Sequence, residues 1–467
     1  MDFAYEYAEM AASARFEDLP SHAVEMTKRF LLDTLGVAIA GANRGEAQNT
    51  VQLVREWGGK AESSLLFFGD KLPVIHAVFA NSVMIHALDF DDTHDGAVVH
   101  AYVTGLPVAF GMAERLGSVS GKDFILALNL GVDLTCRLGL AIGAYPGFER
   151  KTIHFIRSAV CGCFGACVVA GKLLGFSAEH LVNALGIVLS QVGGTRQVVV
   201  DSAMTKRFQP AFAAKSGVLS ALLSDTGISG CRGVFEGPYG FFNNYWGGDY
   251  LREELTRNLG HHFEGVNLSF KPYPCCRYNH GAIDAILKCI KTNNITDADV
   301  KSVLIHLPKQ KFYDVVSRPF SIRNDPTVDA QFNIPYCMAS ALIDGYVFLD
   351  TFEAETVKIK RRTAVAEKVK VLMDLPVNDK KILGPVIVEI NTNDNRTYSE
   401  TVEDYKGSPG NPMTRDECVD KFMRCLRYVN HPFSEGNIET CIQKIFKIEQ
   451  LDDVTDILEY LTQTNHR

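Results

Sequence analysis

The stretch Lys406-Gly407-Ser408-Pro409-Gly410-Asn411-Pro412 holds two glycines and two prolines in seven residues, a composition that neither a helix nor a strand interior tolerates and that marks a turn. Its weight comes from what flanks it. On its N-terminal side Val303, Ile305 and Leu307 alternate with other residues, Val369, Val371 and Met373 do the same, and Val386, Val388 and Ile390 run to Asp394-Asn395 and back from Tyr398 to Val402. Period-two alternation of this kind predicts strands, the last two joined by a hairpin. Helical patterns at Gly281–Thr292, Ala330–Ile343 and Asp350–Ile359 lie between them, so the segment reads as an α+β unit. On the C-terminal side helical periodicity resumes over Thr414–Arg427 and Gly436–Lys447, with a last short helix near Val454–Leu461.

Before about Glu264 the pattern is helical almost throughout. Ser21–Ala42, Val74–Ala87, Gly121–Ile142, Ile156–Leu174, Ser177–Val192 and Pro210–Asp225 carry apolar residues at three- and four-residue intervals. Ser177 opens one helix after Gly175, and Gly227 stops another. The expected fold class is therefore mainly α: a large all-α domain with a smaller α+β domain inserted in it. Residues 1–268 form its N-terminal part, 269–405 the insertion, and 406–467 the helices that rejoin the first bundle.

At 467 residues the chain is long enough for two or three domains. Charged residues make up 22% and hydrophobic ones 46%, the balance of a globular protein rather than a disordered one. A net charge of −8, spread along the chain, supplies no basic stripe for nucleic acid. The small, apolar run Ser158–Gly171 is shorter than the roughly 20 residues a bilayer span requires. Met1-Asp2-Phe3-Ala4-Tyr5-Glu6 lacks a basic n-region, so a cytoplasmic location is expected, with neither membrane nor nucleic acid as partner. Twelve cysteines include no C-x-x-C pair; Cys161, Cys163, Cys167 and the adjacent Cys275-Cys276 have spacings that suit packing better than zinc or iron–sulfur ligation.

Chemistry concentrates in Ile85–His100, where Asp89, Asp91, Asp92 and Asp95 mix with His86, His94 and His100. Acids crowded together raise one another's pKa and a nearby imidazolium lowers it, so such a group can hold an acid and a base near neutral pH. An acidic loop or a helix cap accounts for the same stretch without chemistry.

Six further motifs accompany it in order: Leu31-Leu32-Asp33-Thr34-Leu35-Gly36, His154 ahead of Gly162–Gly175, Lys206-Arg207-Phe208-Gln209-Pro210-Ala211, Glu236-Gly237-Pro238-Tyr239-Gly240-Phe241, Asp329-Ala330-Gln331-Phe332-Asn333-Ile334-Pro335-Tyr336, and the turn at 407–412. With His86–His94, this series resembles the MmgE/PrpD family, which includes 2-methylcitrate dehydratase, cis-aconitate decarboxylase and iminodisuccinate epimerase. The resemblance covers nearly the whole chain. It implies that the inserted domain is a lid over an active-site cleft, that the protein is a homodimer, and that it uses neither metal nor organic cofactor. It further implies a pocket of Asp89, Thr93, His100, His154, Lys206, His280 and Tyr336, with Arg277 as a further candidate.

Those residue types suit a small polycarboxylate. Lys206 and Arg277 can pair with its carboxylates, and Thr93 and Tyr336 can donate hydrogen bonds. His154 and His100 are expected as acid and base, with Asp89 orienting an imidazole, while His280 joins the substrate-binding set and His86 and His94 have supporting places. Proton transfer beside a carboxylate then leads to dehydration or decarboxylation, lyase reactions, or to epimerisation; a non-catalytic carboxylate binder is the remaining alternative. The run Val98-Val99-His100-Ala101-Tyr102-Val103-Thr104 departs from the Pro-Ser that follows this histidine in much of the family, and Tyr102 is expected to bring its ring into the pocket.

Overall fold

The computed structural model describes residues 1–143, 154–377, 383–429 and 433–462. The fold is mainly α. Six long helices of the N-terminal part position the site: α1 (Ser21–Gly41), α2 (Val74–His86), α3 (Tyr102–Leu116), α4 (Gly121–Ala141), α5 (Arg157–Leu173) and α6 (Gln209–Asp225). Helix α4 is long and apolar enough to cross a membrane, but its whole apolar window is buried inside the protein.

Small residues set how closely these helices approach. At Gly165 of α5, a Cβ would lie 2.3 Å from the Gly131 carbonyl oxygen and 2.0 Å from Thr135 Oγ1, both on α4. Helix α3 was not anticipated, because Gly105, Pro107 and Gly111 dilute its pattern. Pro107 has no N–H to donate to Val103 four residues back, and the Ser82 hydroxyl of α2 donates to that carbonyl instead, at 2.8 Å.

One apolar core joins these helices to Met413, Cys418, Phe422 and Leu426 and on to Ile457 and Leu461. Helix α7 (Arg415–Tyr428) opens with a capping box, the Thr414 hydroxyl accepting from Glu417 N–H and the Glu417 carboxylate from Thr414 N–H. It buries Lys421 against Asp33 of α1 at 2.8 Å, and the same ammonium donates to the Phe90 carbonyl at 3.0 Å.

A second core runs from Cys275 to Tyr405. It contains a four-stranded sheet of β1 (Val300–Pro308), β2 (Val369–Leu375), β3 (Val386–Thr392) and β4 (Thr397–Val402), in the order β2-β1-β3-β4. β1 pairs parallel with β2 and antiparallel with β3. Asn395, at φ 62°, turns the expected hairpin between β3 and β4. The expected helix over 330–343 is two helices, Pro326–Gln331 and Ile334–Asp344, the second capped by Asn333. That over 350–359 shrinks to two single turns, Leu349–Phe352 and Ala354–Val357.

The chain enters and leaves this second core side by side. Phe270 N–H donates to the Gly407 carbonyl at 2.9 Å. Gly407 sits at φ 87°, and a Cβ there would lie 2.3 Å from the Phe270 carbonyl oxygen, so the turn at 406–412 needs glycine on both counts.

Candidate active site

The loop after α2 carries the centre of the site. Asp89 adopts φ 51°, a left-handed conformation that Asp tolerates better than most residues. Its carboxylate is clamped by two ammonium groups, Lys206 Nζ at 2.5 Å from Oδ1 and Lys271 Nζ at 3.1 Å from Oδ2. Lys271 also donates to the Asp89 carbonyl at 2.8 Å. Burial alone pushes the Asp89 carboxyl up, but the two lysines outweigh it and hold it well below the ordinary carboxylate range. Lys271, fully buried, is raised above its ordinary value by the same pairing.

Two imidazoles share the neighbouring carboxylate. His86 Nδ1 lies 3.0 Å from Asp91 and His100 Nδ1 3.3 Å from Asp91 Oδ2. His86 Nε2 faces Lys206 Nζ at 3.2 Å. An ammonium only donates, so Nε2 accepts and the ring proton sits on Nδ1. Burial, reinforced by the Lys206 charge, pushes His86 down to about 4, so it is neutral at pH 7. His100 Nδ1 donates to the Asp92 carbonyl at 2.6 Å, which leaves Nε2 as the atom able to exchange a proton.

Asp92 has a structural place. Its carboxylate accepts from Ala101 N–H at 2.9 Å and Tyr102 N–H at 3.1 Å, capping the start of α3. Burial and the Asp91 charge raise its carboxyl to about 7. Tyr102 points its ring at Phe30, with centroids 5.3 Å apart. It packs in the helical core, which corrects the expectation that it enters the pocket: as the first residue of α3, it follows the helix inward.

Thr93 pairs with Ser269 through both backbone hydrogen bonds, and this short bridge carries Lys271 to Asp89. The Thr93 hydroxyl has no hydrogen-bond partner among the described residues. The sequence-predicted Asp89, Thr93, His100 and Lys206 are thus brought together, and Lys271 is the member that no local pattern marked. Its one signal is a lone cation in the otherwise uncharged run Leu268-Ser269-Phe270-Lys271-Pro272-Tyr273.

The other candidates stand apart from this group. Arg277 pairs with Asp95 at 3.2 Å and donates to the Lys406 carbonyl at 3.0 Å. His280 is fully buried, its Nε2 3.3 Å from the Cys275 carbonyl oxygen, and burial with the Arg277 charge pushes it well below its ordinary value. Tyr336 is fully buried in the second core and donates its hydroxyl to Thr351 O at 2.6 Å, so that hydroxyl is not presented to the Asp89 group. His154 is exposed. Its carbonyl accepts from Arg196 N–H at 2.8 Å, and Phe155 bridges to Thr195, which tethers it to the strip leading into the cleft.

That cleft, about 520 Å³ including its open mouth, lies between the two cores and is lined by Asp89, Lys206, Arg318, Arg323, Gln331 and Phe332, among others. Gln331 ties its walls together, donating to Leu88 O at 2.8 Å and Pro274 O at 3.0 Å. His86, Asp89 and His100 could by proximity hold a metal ion, but the atoms that would do so are engaged: His86 Nε2 and Asp89 Oδ1 both receive Lys206, and Asp89 Oδ2 receives Lys271. The donor set fits an ammonium rather than a metal ion.

Models of the MmgE/PrpD N-terminal domain and the MmgE/PrpD C-terminal domain match residues 6–254 and 273–444. The chain belongs to the MmgE/PrpD family. Among its relatives is the cis-aconitate decarboxylase of Aspergillus terreus (strain NIH 2624 / FGSC A1156), 27% identical over 478 residues that cover 98% of this chain and 95% of that one. The proteins of the same name from Mus musculus and Homo sapiens are each 25% identical, covering 97% and 93% of this chain and 92% and 89% of their own. Within the MmgE/PrpD chain, the motif Asp329–Tyr336 divides its work among a buried counterion at Asp329, the cleft-spanning Gln331 and the helix cap at Asn333.

Proposed function

We propose that this protein is a lyase that decarboxylates a cis-aconitate-like polycarboxylate without a cofactor, and that residues 269–405 act as a lid on the cleft, inserted in a helical domain made of 1–268 and 406–467. The observation that carries the proposal is the clamp of two lysines on Asp89, beside the His100 imidazole, with Asp89 and Lys206 lining the cleft. Lys206, whose ammonium lines the cleft, offers its charge to a substrate anion, and names among the relatives point to the substrate class.

In this mechanism the C–C bond to one carboxylate breaks and carbon dioxide leaves. The electron pair forms a new double bond, and the former double-bond pair moves onto the carbon beside a second carboxylate. Lys206, with Lys271 behind it on Asp89, holds the enediolate charge that develops there. His100 Nε2, protonated, then gives its proton to that carbon, while Nδ1 keeps its hydrogen bond to the Asp92 carbonyl throughout. Asp89 holds the lysines, and His86, kept neutral, accepts from Lys206 and fixes its direction. His154, carried over from the family and exposed beside the cleft strip, is assigned to returning the proton from solvent. We also assign a homodimeric state to the protein in the cytoplasm.

The test is product analysis by NMR in deuterium oxide with cis-aconitate. A decarboxylase yields a dicarboxylate with one deuterium at the protonated carbon and releases carbon dioxide; an epimerase exchanges an α-proton and leaves composition unchanged, and that outcome would sink the lyase proposal. Lys206→Ala is expected to lower kcat by roughly 100- to 1000-fold, as loss of one charge-stabilising donor does, and His154→Ala is expected to abolish turnover in a folded protein. Full activity in either variant removes that residue from the mechanism.

A further inference from the structure

The far wall of the cleft repeats the charge arrangement of the Asp89 clamp. Asp329, fully buried, accepts from two guanidinium groups: Arg318 Nη2 at 3.1 Å and Arg323 Nε at 2.8 Å reach its Oδ1, and Arg323 N–H reaches Oδ2 at 2.6 Å. Arg323 spends Nη2 on the Ser202 hydroxyl at 3.1 Å across the cleft. Arg318 Nη1 is buried and has no hydrogen-bond partner among the described residues. A buried guanidinium nitrogen without an acceptor costs free energy unless a ligand completes it. Burial and the neighbouring Arg323 charge push Arg318 below its ordinary value, against the pull of Asp329. Arg207, the remaining arginine on the cleft, is already neutralised by Glu46.

The cleft thus meets cations at two places, Lys206 on Asp89 and Arg318 with Arg323 on Asp329. A substrate with a single anionic group could satisfy only one end. In the decarboxylation proposed above, on which this inference rests, one carboxylate of a tricarboxylate departs and a second carries the enediolate charge at the lysine end. The third, on the central carbon, keeps its charge unchanged throughout, so a fixed ion pair can hold it without opposing the reaction, as one on the departing carboxylate would.

We infer that Arg318 is the specificity-determining anchor of this site, its guanidinium, with Nη1 unspent, receiving the substrate carboxylate that takes no part in bond breaking. Arg318 binds ground state and transition state alike, so its loss raises KM and spares kcat.

The experiment is calorimetry and kinetics on wild type, Arg318→Gln and Arg318→Lys, with cis-aconitate and with glutaconate, the dicarboxylate that lacks the central carboxylate. Arg318→Gln is expected to weaken cis-aconitate binding roughly tenfold to a hundredfold, the loss typical of a charged hydrogen bond, and to change glutaconate binding less than about threefold, within the spread of indirect effects. Arg318→Lys keeps the charge without the fork and is expected to fall between; if Arg318→Gln fails to fold by its melting curve, the selective loss must appear in Arg318→Lys. Equal losses for both ligands, or none, overturn the anchor. A wild type that binds cis-aconitate with this selectivity but releases no carbon dioxide refutes the decarboxylase reading and leaves the anchor standing. Wild type that binds neither ligand overturns both.

Discussion

At the scale of single residues, the candidate site is a set of buried charges whose partners come from both near and far in the chain. His86 is the clearest example. Its ordinary imidazole titrates at 6.5 and the folded protein lowers it to about 4, so between those values the unfolded chain binds a proton that the folded one does not. Stability therefore falls as pH drops from 6.5 towards 4. His86→Gln removes this contribution, and its melting temperature is expected to vary less with pH over that window than that of wild type. Equal slopes in a pH series of melting curves would show that the imidazole is protonated without penalty. Asp92, raised to about 7, acts in the opposite sense, losing stabilisation as pH rises through that value, which is why the comparison must be with the variant. That Asp89, His100 and Lys206 lie together was legible from a dense motif and a family pattern. Lys271 was not, because its meaning lies in a contact 182 residues away, and Arg318 was not, because an unpaired nitrogen is a property of packing.

At the scale of elements, legibility followed the strength of the periodic signal. α1, α2, α4, α5 and α6 lie within two residues of their expected ends, since an apolar stripe and a stop residue are local. Helix α3 escaped because its proline is made tolerable by a hydroxyl from α2, a solution invisible in sequence. Strand alternation located the four strands of the second core's sheet, yet the parallel pairing of β1 with β2 depends on which edges meet in space. The α4–α5 crossing gives an expectation of its own. Gly165→Ala places a methyl group against a backbone oxygen that cannot turn aside, and it is expected to cost about 1–3 kcal/mol, as overpacking does. Denaturant unfolding measures it; a neutral result would mean that the two helices can part by more than their packing suggests. Gly45, around which a Cβ would meet nothing, is the matched control.

At the scale of the whole molecule, the return of α7 to α1 joins the ends of the chain to the site between them. Lys421→Ala leaves Asp33 buried without its cation, a loss of about 3–5 kcal/mol where a buried pair is broken on one side. It also frees the Phe90 carbonyl next to Asp89. Stability and kcat are therefore expected to fall together. The double variant Asp33→Asn with Lys421→Met is expected to recover much of the stability and less of the activity, as read by unfolding and steady-state kinetics; full recovery of both would uncouple α7 from the site. The mainly α character was legible from texture alone. The pairing of Phe270 with Gly407 was not, although the glycine-rich turn hinted at it.

The hydrogen bond from Lys421 to Phe90 spans 331 residues. At ordinary elongation rates of about 5–20 residues per second, a ribosome needs roughly 20 seconds to a minute to travel that distance. Throughout that interval the growing chain holds Asp33 and the Asp89 loop without the cation that completes them. The nascent helical bundle is then an unfinished body whose Asp89 loop cannot yet be set, and its exposure to chaperones and proteases is fixed by the order in which its parts are made.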